Sequence, residues 1–140
     1  MNINKAKGTR LKPVYFAFGQ EKETAQEKAE AWVGGMKGIL ESDVAFKAPL
    51  TLTQESDLNR LDELIEQDVD ALMWPGGGSI YSCRKLAKQE FPIIIWGAGG
   101  YSHAGEWDRR GFLESEGAEA YAPLGPSEHD KLIRLIGTPA

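Results

Sequence analysis

Three observations predict a doubly wound α/β domain in three layers. Five β-rich apolar runs recur along the chain, and helical patterns separate them. Runs such as IIIW at 93–96 are apolar at consecutive positions, as a parallel strand covered by helices on both faces requires. The length of 140 residues, 41% hydrophobic and 26% charged, suits one globular domain with its own core.

The elements follow in order. Residues 1–12 read as a polar lead-in, a solvated tail carrying Lys5, Lys7, Arg10 and Lys12, and the domain is expected over 13–140. The first strand is PVYFAF at 13–18. A helix over 21–40 places Ala25, Ala29, Trp32, Met36 and Leu40 on one face, with Glu21 and Glu23 at its positive end. The second strand is VAFKAP at 44–49, followed by a helix over 56–67 with Leu58, Leu61, Leu64 and Ile65 inward. The third strand is DALMW at 70–74, and the next helix turns Ile80, Cys83, Leu86 and Ala87 inward. The fourth strand is FPIIIW at 91–96; a helix over 103–116 follows, with Gly117 as its C-terminal cap. The fifth strand is AEAYAPL at 118–124, and Ser127 with Asp130 forms a capping-box pattern opening a last helix with Leu132, Ile133 and Ile136 inward. Five β–α units of this kind make a flavodoxin-like, doubly wound, parallel five-stranded sheet in the order 2-1-3-4-5.

Composition removes several function classes. The net charge is −5, and no basic stripe with interleaved aromatics is present, so nucleic acid is not an expected partner. No apolar run approaches the ~20 residues of a membrane span, and the N-terminus has no apolar h-region. A single cysteine, Cys83, permits no internal disulfide. Together these predict a cytoplasmic protein.

Ligands of such sheets bind beyond the carboxyl ends of the strands, where the strand order reverses. That points to the loops after strands one, three and four: Gln20; Gly76, Gly77, Gly78 and Ser79; and Gly99, Gly100, Tyr101, Ser102 and His103, with Glu106 on the following helix. Glycine lets a backbone approach a ligand closely, and Ser79 and Ser102 are N-cap candidates whose helices offer free N–H donors. The alternative is that tight strand-to-helix turns simply need glycine. Trp74, Trp96 and Tyr101 at strand ends offer faces on which the apolar side of a sugar can stack. Trp107 reads as core.

Other chemistries fit poorly. GAGGYS at 97–102 lacks the last glycine of the dinucleotide fingerprint, follows the fourth strand, and has no acidic residue at the end of the next strand. Glu21 and Glu23 would repel a flavin phosphate after strand one. No aspartate cluster of the receiver type ends the first strand. Cys83 lies one turn into a helix on its inward face, as a small core residue rather than a nucleophile. Ser102 and His103 are adjacent, a poor geometry for a serine–base pair. His103 and Glu106 share a helical face, but two potential ligands there describe a polar helix start better than a metal site. His129 reads as a solvated residue in the first turn of the last helix.

QDVDALMWPGGGS followed by EFPIIIWGAGGYSHAGEWDRRGFLESEGAEAYAPLG resembles the N-terminal domain of L-fucose and L-arabinose isomerase-like proteins. The matching positions are Gly76 to Ser79, Pro92, Tyr101-Ser102, Ala104, Glu106 and Gly117, best over 68–123. Where that family has an asparagine before the helix, this chain has Gly100-Tyr101. The resemblance implies an aldose–ketose isomerase whose divalent metal, usually manganese, is held by carboxylates and a histidine of later domains. This chain would then carry no catalytic or metal residues and no cofactor of its own. It would contribute to the rim of a sugar pocket and to packing against further domains or copies of itself. ESDLNRLDELIEQDVDALMWPGGGS with PIIIWGAG is also similar to the first lobe of periplasmic sugar-binding and LacI-like proteins, which implies a non-catalytic sugar-binding lobe. A purely structural, oligomerising domain is the third alternative.

Overall fold

The computed structural model describes residues 8–41, 43–76, 79–97 and 104–137, with the backbone alone for 104–108. Its strands are β1 (Thr9–Phe16), β2 (Val44–Phe46), β3 (Leu50–Leu52), β4 (Ala71–Trp74), β5 (Ile93–Ile95) and β6 (Ala120–Tyr121). Its α-helices are α1 (Lys22–Ile39), α2 (Leu61–Leu64), α3 (Ile80–Ala87), α4 (Ala104–Ser115) and α5 (Pro126–Gly137). The sheet runs β2-β1-β4-β5-β6, every pairing is parallel, and β3 joins the same edge of β1 as β2. This is the flavodoxin-like three-layer architecture; the strand expected over 44–49 ends at Phe46, and the break is followed by a further strand, β3, over 50–52 that the sequence did not predict.

The break has a chemical cause. Leu11 faces Phe46 and Val14 faces Leu50, so Lys12 and Pro13 of β1 stand against three residues, Lys47, Ala48 and Pro49. Leu11 O accepts from Lys47 N at 2.8 Å, and Ala17 N donates to Leu52 O at 2.8 Å. By strand alternation Pro13 addresses this same edge, and neither it nor Pro49 has an N–H to give. The ladder therefore breaks there and resumes at Leu50.

The two faces of the sheet are both apolar. Leu11, Met73, Ile94 and Trp96 lie against Val33 and Met36 of α1 and Ile133 of α5. Val14, Leu72, Trp74 and Ile95 lie against Leu58, Leu61, Leu86 and Leu113 on the other side. The period-2 alternation along β4 sends Leu72 and Trp74 one way and Ala71 and Met73 the other. All four residues of β4 and all three of β5 are buried.

Several boundaries differ from the sequence expectation. β1 begins at Thr9, so Arg10 and Lys12 are strand residues rather than a solvated tail. Their charges are matched: Arg10 pairs with Asp70 at 2.9 Å and Lys12 with Glu66 at 2.7 Å. The helix expected over 56–67 is a 3-10 segment, Glu55–Arg60, followed by the single turn of α2. Arg60, at φ −116° and ψ 13°, separates them, while Leu58, Leu61 and Ile65 still reach the core. On α1, Ala25, Ala29 and Met36 are fully buried and Val33 nearly so, whereas Trp32 and Leu40 are only half-buried.

The helix ends are set by local chemistry. Gly117 adopts φ +92°, with Gly117 N donating to Glu114 O and Ala118 N to Leu113 O, both at 3.0 Å. These two bonds form a Schellman motif, confirming the cap expected there. α5 opens on Pro126, not Ser127, because proline suits the first helical position. Glu128 reaches back to accept from Leu124 N at 2.7 Å. Asp130 does not complete a capping box; its two carboxylate oxygens each accept from Glu41 N at 3.1 Å, just beyond α1.

Candidate functional site

β1 leads outward to β2 and β3, and the chain returns to place β4 on the opposite side of β1. The strand order therefore reverses between β1 and β4. The residues leaving their carboxyl ends, 17–21 after β1 and Pro75-Gly76 after β4, share one edge of the sheet, with Gly97 after β5 beside them.

On the first loop, Gln20 N donates to Ala17 O at 3.1 Å, and Gly19, at φ +83°, donates to Thr53 O at 3.0 Å. The turn exposes Gln20, whose Oε1 accepts from Lys28 Nζ at 3.2 Å. On the second loop, Gly76 takes φ +94°, a conformation that disfavours a side chain. Ser79 caps α3 as expected, its Oγ accepting from Ser82 N at 3.2 Å. Gln20, Gly76 and Ser79 thus lie on one edge. Gly77, Gly78, Gly99, Gly100, Tyr101, Ser102 and His103 lie outside the described residues, as do the side chains of Glu106 and Trp107.

Four expectations are corrected here. Trp74 and Trp96 are 0% and 2% exposed, so neither offers a face to a sugar. Trp74 points into the α2–α3–α4 side, edge-on to Phe16 at 6.4 Å. Trp96 points into the α1–α5 side, and its carbonyl accepts from Trp32 Nε1 at 3.2 Å. His129 is fully buried rather than solvated, its ring centroid 4.1 Å from that of Trp96. Ile80 is 57% exposed, because the first position of α3 stands beyond the end of β4; Ser82 takes an inward place instead. Cys83 is core, as expected. Burial raises its thiol pKa, against the opposing pull of Arg109, whose Nη1 is 4.0 Å away.

The carboxyl edge also holds buried polar atoms with no hydrogen-bond partner: Thr51 Oγ1, Trp74 Nε1, and both ring nitrogens of His129. Thr51 stands opposite Tyr15 near the end of β1, Trp74 ends β4, and His129 covers Trp96 just after β5. Trp74 and His129 lie on opposite faces of the sheet, Trp74 in the cluster under α3 and α4 and His129 against Trp96 on the α1–α5 side, so these unpaired groups do not converge on one ligand. Thr51 and His129 escaped the sequence reading because nothing local signals their burial. Among the described residues no group of three His, Cys, Asp or Glu side chains is placed to hold a metal ion, and no helix is long and apolar enough to cross a membrane. No protein-family model matches this chain, and no curated protein sequence matches it.

Proposed function

We propose that this chain is a small-molecule-binding α/β domain whose ligand is a sugar held at the carboxyl ends of β1, β4 and β5. We read it as the N-terminal domain of an aldose–ketose isomerase-like protein. The observation that supports the ligand site is the meeting of the β1 and β4 carboxyl ends where the strand order reverses, with Gly76 at φ +94° and Ser79 capping α3 beside the exposed Gln20. A hydroxyl-rich ligand suits such an edge, because each hydroxyl both donates and accepts. Gly76 supports close backbone approach, and Gln20 supplies an exposed amide. The isomerase reading rests on the PGGGS and GYSHAGE segments. It assigns this chain pocket-rim and packing roles. The described residues do not fit a manganese site, so no catalytic step is assigned to them.

The test is a titration of the ¹⁵N-labelled chain with L-fucose, L-arabinose and D-ribose, read by amide and indole N–H shifts. The expected result is a saturable shift at Gln20, Gly76 and Ser79 with one sugar. No saturable shift, or shifts confined to the opposite edge of the sheet, would overturn the ligand assignment.

A further inference from the structure

His129 is the most under-satisfied side chain described. It is 0% exposed in the first turn of α5, and neither ring nitrogen has a hydrogen-bond partner. Its ring rests on Trp96 with the planes inclined at 48°. The cluster to which Trp96 belongs is apolar: Val33 and Met36 from α1, Leu11 from β1, Met73 from β4, Ile94 from β5. The ionisable side chains of α1, including Lys28 and Lys37, lie on its exposed side, as do Glu128, Lys131 and Arg134 of α5. The charged group that acts on the ring is Asp130, its neighbour on the same helix. Both Asp130 carboxylate oxygens are already committed to Glu41 N. The pocket therefore tolerates a neutral imidazole and has little to offer an imidazolium.

Other contacts also hold α5. Thr9 Oγ1 donates to Ile133 O at 3.1 Å, Asp130 holds the chain after α1, and Ile133 is buried in the sheet-facing cluster.

We propose that His129 is an acid-operated latch: proton uptake drives its ring from beneath Trp96 and releases α5 from the α1 side of the sheet, while β1, β4 and β5 stay paired. Burial lowers the pKa of His129 to about 4, against the raising effect of Asp130. An unlatched histidine titrates near 6.5, so release grows as pH falls between those two values. Unlatching uncovers Trp96 at the carboxyl end of β5 and so couples acidity to the edge proposed to hold ligand. The latch itself does not depend on a ligand being bound there.

The test is amide hydrogen exchange of the intact chain from about pH 7 down to about pH 4.5, for wild type and His129→Phe, which retains a ring for Trp96 but cannot titrate. In wild type, protection factors of α5 amides are expected to fall by up to about tenfold per pH unit while those of β4 hold. In the variant, α5 protection is expected to stay flat. Equal loss in α5 and β4, or an unchanged fall in the variant, would overturn the latch. The wild-type His129 ring resonance gives a check that needs no variant: an ordinary midpoint near 6.5 with α5 still protected would also overturn it.

Discussion

Lys12 Nζ lies 2.7 Å from Glu66 Oε1 and 2.7 Å from Ala48 O, with the Lys12 side chain only 7% exposed. An ammonium inside a strand thus fills the gap where the β2–β3 edge breaks. Burial pushes the Glu66 carboxyl pKa up, but the hydrogen bond and charge of Lys12 outweigh it and hold it below the usual carboxylate range. Glu66→Gln leaves the buried ammonium without its counter-charge. Losing one partner of a fully buried pair costs about 3–5 kcal/mol; because Glu66 is 36% exposed, about 1–2 kcal/mol is expected, read as a lower urea midpoint at neutral pH. The carboxylate's contribution is present above the ordinary Glu pKa and is lost as pH falls through its depressed value. In Glu66→Gln that part of the acid profile should vanish.

Two serines separate a real cap from an apparent one. Ser79 Oγ accepts from Ser82 N at the start of α3, so Ser79→Ala should cost about 1 kcal/mol. Ser127 lies inside α5, behind Pro126, and is exposed, so Ser127→Ala should change stability by less than about 0.5 kcal/mol. Thermal unfolding of the two variants side by side checks the assignment. A larger loss from Ser127→Ala would place the start of α5 where the sequence pattern put it.

That contrast shows what local pattern can carry. The parallel strands were legible because both faces are covered, so DALMW and IIIW read as apolar runs without needing a partner. Gly117 was legible because a helix end followed by glycine has a specific backbone geometry. Arg10 and Lys12 were not, because their partners Asp70 and Glu66 lie more than 50 positions along the chain. The β2–β3 break needs two prolines on different strands to meet. At the candidate edge, the positive φ of Gly76 and the Ser79 cap were readable from residue type. The inward turn of Trp74 and Trp96 was not, since an aromatic at a strand end packs inward or outward according to the helices around it. His129 likewise shows no periodic signal that distinguishes burial under α5 from exposure on it.

Glycines test the same distinction between backbone need and open space. Gly34 and Gly35 sit exposed within α1, and an added Cβ at either meets nothing within 4 Å. Gly34→Ala should therefore stabilise the chain by about 0.5–1 kcal/mol through helix propensity. Gly117 has equal room, but its φ is +92°. Gly117→Ala should destabilise by about 1–2 kcal/mol, because the left-handed region opposes a Cβ. Opposite signs of the change in urea midpoint, at equal steric freedom, are the result to look for.

The acid limb of the stability curve isolates His129. Its pKa is about 4 in the folded chain and near 6.5 when unfolded, so between those values the unfolded chain binds a proton that the folded chain refuses. Stability then rises with pH across this window: its contribution is fully present above about 6.5 and falls as pH drops toward 4. At 1.36 kcal/mol per pKa unit the whole swing is roughly 3 kcal/mol. The carboxylates paired with Arg10 and Lys12 also weaken the fold in acid, but only as their own depressed pKa values are approached. His129→Phe removes the first contribution and leaves the second. The change in urea midpoint with falling pH should therefore differ between the two proteins, the difference growing steadily from about pH 6.5 to about pH 4.5 as the variant loses less stability. Parallel curves for the two proteins would mean that the imidazole charges freely in the folded state and that its burial beneath Trp96 carries no electrostatic cost.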